Sequence, residues 1–256
     1  MHTVAARMDR ADNSTRISQA YPDRVEVRGQ DLAGDLMGAV SFTEYFHLLL
    51  TGRAPTAKQR FFLDLLLVAI AEHGMMPTNV AARMTLAADP GSLQGAVAAG
   101  ILGAGPVVLG TSAECARLLE SPEAPIDLAR RVHAAGEKMP GFGHPVHRPV
   151  DPRAERILEL ADERRVSGAH VELARGLREA VAETWGKPLT MNVAMPIAAV
   201  LLDLGFAAST VKAVPILART AGLLAHLAEE REQPLGFVLA AKAEEAVEYE
   251  PPDARA

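Results

Sequence analysis

The residues best suited to chemistry lie in one proline- and glycine-rich stretch, Met139-Pro-Gly-Phe-Gly-His-Pro-Val-His-Arg-Pro-Val-Asp-Pro-Arg-Ala154. Within it, His144 offers an imidazole, which can take up and release a proton near neutral pH. Arg153 offers a planar guanidinium, which binds a carboxylate through two parallel hydrogen bonds. The stretch therefore combines an acid–base group with a carboxylate-binding cation.

Special backbone residues surround these two groups. Gly141 and Gly143 permit backbone angles that other residues resist, so the loop can aim His144. Asp151 suits the N-cap of a helix and Pro152 suits its first position, which places the next residue at a rigid helix start. The pattern predicts a stiff loop that presents an imidazole beside an anchored guanidinium.

Two further candidate groups lie elsewhere in the chain. His73 follows an apolar helix, in a turn-rich break where it either binds a ligand or merely caps that helix. Arg219 lies inside the apolar helix Val214–Leu227, where an unpaired charge is costly. We therefore expect either a carboxylate partner in the fold or a bound ligand beside Arg219.

The other reactive side chains favour simpler interpretations. His147 lies three residues after His144 on the proline-stiffened loop, and we expect a supporting or surface position for it. The histidines show no tight metal-binding spacing, so no metal site is expected. Cys115 fits a buried helical position better than the position of a nucleophile.

The composition indicates a helical protein. Apolar residues make up 49% of the 256 residues but aromatic residues only 4%, which favours closely packed helices over a β-sandwich. The net charge of −6 argues against nucleic acid as a partner. A single cysteine and the lack of a recognisable signal segment indicate a cytoplasmic location. The longest apolar runs, such as Phe61–Ala71, are too short to span a bilayer, so no membrane association is expected.

Local patterns also place several structural elements. Alternation over Arg24–Arg28 predicts a short strand, and Ser41–Glu44 is a capping box that opens a helix. An apolar helix is predicted over Leu189–Leu204, interrupted at Pro196. A long helix is predicted over Ser209–Glu230, with a kink at Pro215.

These motifs resemble the citrate synthase superfamily, and more closely its short members, the citryl-CoA lyase-like proteins. The run GFGHPVHRPVDPRAERILELA carries the resemblance because it is long and specific in its order. Three other stretches support it, and together they extend over about residues 24–235. They are VRGQDLAGDLMGAVSFTEYFHLLLTGRAPT, AEHGMMPTNVAARMTLA and VPILARTAGLLAHLAEE.

The resemblance implies an all-α fold in which a smaller helical domain is inserted into a larger one. It also implies an active cleft between these domains at a homodimer. We expect the large domain over residues 21–120 and 186–242, and the small domain over 121–185. A flexible arm over residues 1–20 and a mobile acidic tail over 243–256 would flank them.

The resemblance also assigns roles to four residues. In this family histidines, an aspartate and arginines surround a citrate-like substrate and a CoA thioester. His144 corresponds to the catalytic histidine that handles the carbonyl or hydroxyl group of the keto-acid half. His73, Arg153 and Arg219 correspond to residues that bind the substrate.

Two positions depart from the family pattern. Val108 stands where the histidine that polarises the thioester carbonyl is expected, and Ala194 stands where the carboxylate base is expected. A general base contributes about 10²–10⁴ in rate and one oxyanion donor about 10²–10³. We therefore do not expect ordinary citrate synthesis. Candidate replacements are Glu72 and Glu114 as bases, with Thr111 and Ser112 as carbonyl donors.

The leading hypothesis is an enzyme of this family with altered chemistry. It would cleave or form a carbon–carbon bond between an acyl-CoA and a keto or hydroxy di- or tricarboxylate, as a homodimer without a covalently bound cofactor. The CoA thioester would be its substrate or ligand. The alternative is a catalytically inactive homologue that binds a CoA ester or a carboxylate as a sensor, or that pairs with a homologous partner subunit.

Overall fold

The computed structural model describes residues 14–251, and the predictions for residues 1–13 and 252–256 lie outside this range. Helices make up most of the described chain, which confirms the all-α prediction. The chain forms two compact units, the first ending at Arg60 and the second beginning at Phe61. The predicted insertion of a small domain over residues 121–185 stays a prediction.

A small antiparallel sheet opens the first unit. Its strands are β1 Ser18–Ala20, β2 Val25–Val27 and β3 Gln30–Asp31, in the spatial order β1-β2-β3. The strand predicted over Arg24–Arg28 is thereby confirmed. Gln19 lies opposite Glu26, so residues 18–20 are paired where a flexible arm was expected.

Helix α1, Phe42–Thr51, begins at the predicted capping box. Oγ of Ser41 accepts a hydrogen bond from the Glu44 N–H at 3.3 Å, and Oε2 of Glu44 accepts one from the Ser41 N–H at 2.8 Å. The helix ends at Gly52, whose φ of 76° is in the left-handed region. Its apolar face packs on the sheet and on a π-helical turn, Leu32–Leu36, through Val27, Leu36 and Leu48.

The remaining helices follow in chain order. They are α2 Ala57–Ala71, α3 Pro77–Ala88, α4 Leu93–Leu102, α5 Thr111–Leu119, α6 Pro125–Ala134, α7 Pro152–Glu163, α8 Ala169–Trp185, α9 Ala194–Asp203, α10 Ala208–Val211, α11 Ala213–Glu232 and α12 Gly236–Glu245. Helix α9 is buried along most of its length and packs against α5, α7 and α8. Helix α3 packs against α4, α11 and α12.

Two prolines set helix starts where the sequence predicted an interruption and a kink. The helix predicted over Leu189–Leu204 begins only at Ala194, which places Pro196 in its first turn. The predicted kink at Pro215 is instead a break at Lys212, so that Pro215 lies in the first turn of α11. Proline is tolerated there because the first N–H groups of a helix have no partner within the helix.

Residues 208–232 are long and apolar enough to cross a membrane, judged by length and composition alone. Of their most apolar window, 44% is buried inside the protein, and core helices of soluble proteins meet the same criterion. Within this stretch, Leu223 and Leu227 pack against α3 and α4, and Arg219 is buried. These contacts favour a core helix.

A buried ion-pair network joins α3 to the end of α11. Arg83 is fully buried and donates from Nη1 to Oε2 of Glu230 at 2.8 Å and from Nη2 to Glu229. Burial raises the pKa of Glu230, but hydrogen bonds from the Gly236 N–H and from Arg83 outweigh it and lower that pKa. The network therefore stabilises the fold by pairing two buried charges.

Replacing Arg83 with Met should destabilise the protein strongly, because Glu230 would remain buried without its cation. We expect a loss of about 3–5 kcal/mol in the free energy of unfolding, measured by urea denaturation. Arg117→Met removes an exposed arginine paired with Glu114 and should leave that free energy nearly unchanged. Equal losses in the two variants would contradict a structural role for the network.

Candidate active site

The glycine- and proline-rich loop is tied to the segment that precedes α9. The Gly143 N–H donates to the carbonyl of Thr190 at 2.7 Å, and the Asn192 N–H donates to the carbonyl of Gly141 at 2.8 Å. Gly141 and Gly143 have φ values of 77° and 89°, in the left-handed region that favours glycine. Backbone hydrogen bonds therefore hold the loop in place, in agreement with the stiff loop predicted from the sequence.

Gly141 also lies where no side chain fits. A Cβ atom at this position would lie 2.8 Å from Sγ of Cys115 and 2.8 Å from Cβ of Met195. Cys115 is fully buried in α5, and burial raises the pKa of its thiol far above the usual value. The prediction that Cys115 is a packing residue is confirmed, because a neutral buried thiol is a poor nucleophile.

His144 has one ring nitrogen already engaged. Its Nδ1 accepts hydrogen bonds from the backbone N–H groups of Val146, at 3.1 Å, and His147, at 2.8 Å. Burial, with the charges of His147 and Arg153, lowers the pKa of His144, which favours the neutral ring near pH 7. A neutral ring that accepts at Nδ1 carries its proton on Nε2, so His144 offers a donor there.

Asp151 fixes the position of Arg153. Its buried carboxylate caps α7 by accepting from the Arg153 N–H at 3.0 Å, which confirms the predicted N-cap. Nε and Nη2 of Arg153 donate to the two carboxylate oxygens at 3.1 and 2.8 Å, and the Val193 N–H donates to Oδ2 at 3.1 Å. Burial raises the pKa of Asp151, but the hydrogen bonds and charge of Arg153 outweigh it and hold that pKa below its usual range.

Arg219 is a buried cation, only 2% exposed. Its Nη1 donates to Oδ1 of Asn79 at 3.1 Å and its Nη2 to the carbonyl of Ile70 at 3.3 Å, whereas Nε is buried without an acceptor. Burial lowers the pKa of Arg219, and Glu72 opposes this only through its charge. Among residues 14–251 no carboxylate forms an ion pair with Arg219, which leaves a bound anion as the expected partner.

Three histidines come together beside the arginines. Nε2 of His73 lies 3.2 Å from Nε2 of His147, and the rings of His144 and His147 stack with centroids 4.4 Å apart. Burial, with the charges of Arg153 and the two other histidines, lowers the pKa of His73. The cluster could not be predicted from the sequence, because His73 and His147 are 74 positions apart and no local pattern joins them.

The histidine cluster has dimensions that a metal ion could bridge, since one ring nitrogen of each residue lies within 4.8 Å of the others. A metal-bound imidazole needs a lone pair on the binding nitrogen and usually donates from its other nitrogen. His144 does the opposite, because its Nδ1 accepts two backbone hydrogen bonds. The cluster therefore fits proton transfer better than three-histidine metal binding. The expected lack of a metal site stays a prediction.

One cleft brings the four predicted site residues together. It has a volume of about 150 Å³, which is room for a small ligand and not only for a single water. His73, His144, Arg153 and Arg219 all line it. Within the described part of the chain, no acidic side chain lines this cleft. Apolar walls complete it, formed by Ile70, Met76, Val107, Val108, Leu109, Ala194, Ile197 and Pro215.

Val108 and Ala194, where the sequence predicts a departure from the family pattern, lie on the same cleft. Val108 belongs to a tight turn in which the Gly110 N–H donates to the carbonyl of Gly105 at 3.0 Å. Ala194 begins α9, and its N–H donates to Oδ1 of Asn192 at 3.1 Å. Both side chains contribute only apolar surface to the cleft.

The carboxylates suggested as replacement bases have other partners. Oε1 of Glu72 accepts from the N–H groups of His73 and Gly74 at 2.7 Å each, and Oε2 lies 2.9 Å from Nε2 of His226. These hydrogen bonds outweigh burial, which acts in the opposite direction, and lower the pKa of Glu72. Glu114 pairs within the exposed face of α5. Neither carboxylate lines the cleft.

The hydroxyl groups suggested as carbonyl donors also have partners. Oγ1 of Thr111 donates to the carbonyl of Pro106 at 2.9 Å, and Oγ of Ser112 donates to the carbonyl of Leu109 at 3.2 Å. Both residues line the cleft, but each hydroxyl proton is directed at the chain's own backbone. A ligand carbonyl would have to displace these bonds.

The helical fold and the cleft of arginines and histidines agree with the comparisons with known proteins. The family model described as "Citrate synthase, C-terminal domain" matches residues 41–236. The structure of citryl-CoA lyase from Hydrogenobacter thermophilus superposes with a TM-score of 0.85 at 30% identity, covering 95% of this chain and 96% of that one. ATP citrate lyase from Methanothrix soehngenii, in complex with citrate and coenzyme A, gives a TM-score of 0.76 at 20% identity. That match covers 98% of this chain and 44% of the lyase, and it shows a shared fold alone.

The protein is thus an all-α protein with the citrate synthase and citryl-CoA lyase fold. It belongs to the citrate synthase family. A citrate synthase from Synechocystis sp. is 30% identical over 200 residues, which are 75% of this chain and 50% of the relative. The chain spans about half the length of the curated relatives it matches.

Replacing Gly141 with Ala should test the packing beneath the loop. The new Cβ would meet Cys115 and Met195 and would force this crowded interior to shift. Gly136→Ala is the matched control, because Gly136 has a similar φ of 71° but open space around it. We expect Gly141→Ala to lower the free energy of unfolding by about 1–3 kcal/mol more than the control, measured by urea denaturation. Equal losses would show that only backbone strain matters.

The depressed pKa of Asp151 predicts a pH dependence of stability. The ionised carboxylate stabilises the fold at pH values above the pKa that it has in the unfolded chain, about 3.9. This contribution is lost as the pH falls through the lower pKa of the folded state. The difference in unfolding free energy between the wild type and Asp151→Asn should therefore shrink from pH 6 to pH 3. The unfolding free energy of the exposed Asp127→Asn control should vary with pH as that of the wild type does. A difference in unfolding free energy between the wild type and Asp151→Asn that stays constant with pH would contradict the prediction.

Proposed function

We propose that this protein catalyses the cleavage or formation of a carbon–carbon bond between an acyl-CoA and a keto or hydroxy polycarboxylate, in the manner of a citryl-CoA lyase. One observation carries the proposal. Nε of Arg219 is a buried donor without an acceptor, in a cleft that also contains Arg153. A buried cation of this kind calls for an anionic ligand, because leaving it unpaired is costly.

Different polar groups of the cleft would bind different parts of the ligand. Arg153 and Arg219 would hold carboxylates, and Asp151 keeps the first guanidinium in place while neutralising its charge. His144 would donate from Nε2 to the hydroxyl or carbonyl oxygen of the keto-acid half. We propose this donor role because Nδ1 of His144 is occupied by two backbone donors. The acid–base role expected from the sequence stays a prediction.

His73 remains the titratable group on the cleft that can accept a proton. In cleavage, the tertiary hydroxyl of citryl-CoA would transfer its proton to His73, and the carbon–carbon bond would break with its electron pair passing to the α-carbon of the thioester. A keto acid and the enolate of acetyl-CoA result. The same proton then neutralises the enolate, so the reaction needs no further reactant. A pKa lowered by burial and by Arg153 keeps His73 unprotonated at the start.

The apolar side chains on the cleft limit the rate in both directions. Condensation requires removal of a proton from the acetyl methyl group, and Val108 and Ala194 offer neither a base nor a donor. The loss amounts to about 10⁴–10⁷ in rate if both missing contributions are counted in full. Cleavage passes through the same transition states and is slowed by the same factor, so His73 would have to handle this proton in either direction.

A second candidate function is binding without turnover. The lack of any acidic side chain among the described residues of the cleft favours it. In that case the protein would sense a CoA ester or a polycarboxylate, or would support a homologous partner subunit. A homodimer and a cytoplasmic location belong to both proposals. Exposed Leu102 and Val107, at the end of α4 and in the turn that follows, offer apolar surface for a subunit or for CoA.

Thermal-shift measurements with citrate, oxaloacetate, CoA and acetyl-CoA would test the site. A ligand at 100 times its dissociation constant should add about 2.7 kcal/mol of stability to the wild type. Arg219→Met should abolish the shift caused by citrate while leaving the unliganded protein at least as stable, because the substitution removes a buried charge. The exposed Arg117→Met should retain the full shift.

Turnover separates the two candidate functions. Release of a keto acid from citryl-CoA, detected by a coupled dehydrogenase assay, would support the lyase. Ligand binding without release would support the sensor or partner function. No stabilisation by any of the four ligands would overturn both.

A further inference from the structure

We propose that His147 is the positioning residue of His73. It accepts a hydrogen bond from Nε2 of that ring and thereby selects its tautomer. During proton transfer it receives the Nε2 proton, so that the positive charge forms on His147. The proposal rests on the proposed function and adds to the site a residue for which the sequence predicted a supporting or surface position. Nε2 of His73 and Nε2 of His147 lie 3.2 Å apart. His73 lines the cleft but His147 does not, so His147 is a partner of His73 outside the ligand space.

The contact between the two rings fixes their protons. Two imidazole nitrogens at hydrogen-bond distance need one N–H and one lone pair between them. If His73 donates from Nε2, its Nδ1 carries the lone pair and can accept a proton. An imidazole held by an acceptor at its other nitrogen is the arrangement that orients the general base of a Ser-His-Asp triad. His147 would supply that acceptor here.

The backbone around His147 holds its ring in place. The His147 N–H donates to Nδ1 of His144 at 2.8 Å, and its carbonyl accepts from Oγ1 of Thr190 at 3.3 Å. The ring also stacks on that of His144. His147 therefore sets two tautomers at once, that of His144 through its backbone and that of His73 through its ring.

The charged groups around the pair act against a proton on His73. Arg153, His144 and His147 disfavour it, and Asp151 favours it. The interaction of His147 with Asp151 is attractive, since His147 is among the groups that lower the pKa of that carboxyl. Glu72 lies next to His73 but accepts from its backbone N–H and pairs with His226. A second proton on His73 is therefore opposed, and Nε2 of His147 is the neighbouring atom at hydrogen-bond distance that can receive one.

The proton transfer from the substrate through His73 to His147 is balanced. The substrate hydroxyl gives its proton to the free nitrogen of His73, and the proton on Nε2 of His73 moves to Nε2 of His147. His73 stays neutral and His147 becomes an imidazolium ion, whose charge interacts favourably with the carboxylate of Asp151. Protonation of the thioester enolate reverses both movements.

The first experiment measures the ring tautomers without any substrate. Nitrogen-15 chemical shifts of the histidine rings report which nitrogen carries the proton. The wild type should show His73 protonated at Nε2, and His147→Ala should show a mixture of its tautomers. His147→Gln should restore the wild-type tautomer of His73, because the amide oxygen accepts the same hydrogen bond. An unchanged His73 spectrum in His147→Ala would overturn the proposal, whether or not the protein turns over citryl-CoA.

The second experiment measures citryl-CoA cleavage against pH. His147→Ala should lower kcat by about 10²-fold or more with little change in KM, as expected when a base loses its orienting partner. The acidic limb of its pH profile should move to higher pH, because the substitution removes one of the charges that lower the pKa of His73. His147→Gln should restore the tautomer but not the rate, since an amide cannot carry the proton. His133→Ala, on the exposed face of α6, should match the wild type.

The outcomes separate this proposal from the proposed function. A wild type that binds neither citrate nor CoA would overturn the proposed function, while the ring spectra would still decide the pairing of His73 and His147. A rate loss in His147→Ala with an unmoved acidic limb would assign His147 a merely structural role and overturn the proton transfer. Cleavage that is lost on treatment with a chelator and restored by Zn²⁺ would assign the cluster to a metal instead and would also overturn it.

Discussion

The site depends on one buried carboxylate, that of Asp151. Its oxygens cap α7, hold the guanidinium of Arg153 and accept the Val193 N–H at the start of α9. The loop and α7, which follow each other directly, are thereby joined to the start of α9, where Val193 lies 42 positions beyond Asp151. A carboxylate with this many charge-assisted donors stays ionised despite burial, so it supplies a fixed negative charge beside the cleft.

That fixed charge organises the electrostatics of the cleft. Arg153 is neutralised by Asp151, so the net positive charge available to a ligand comes mainly from Arg219, whose surroundings are a carbonyl and an amide. Burial and the charge of Arg153 lower the pKa values of His73 and His144, which favours the neutral form of both rings. The cleft can therefore bind an anion with Arg219 while keeping a neutral donor and a neutral acceptor for chemistry.

The sequence predicted the parts of this site that depend on local chemistry. The left-handed glycines of the loop, the cap at Asp151 and the isolated charge of Arg219 followed from residue types and short spacings. The helix starts at Ala194 and Ala213 could not be predicted in this way, because an apolar run continues through each proline without marking where the helix begins. The contact between His147 and His73 could not be predicted from the sequence either, since it depends on tertiary packing between segments 74 positions apart.

The cleft separates the requirements of binding from those of chemistry. Carboxylate recognition needs only cations and donors, and Arg153, Arg219 and His144 supply these on the lining of the cleft. Enolate formation by proton abstraction from a methyl group needs a base, and neither Val108 nor Ala194, which also line the cleft, can act as one. Cleavage of a hydroxyacyl-CoA and the condensation that forms it pass through the same transition states, so apolar side chains at positions 108 and 194 slow both directions equally. For either direction the cleft retains the imidazole groups of His73 and His144, which line it.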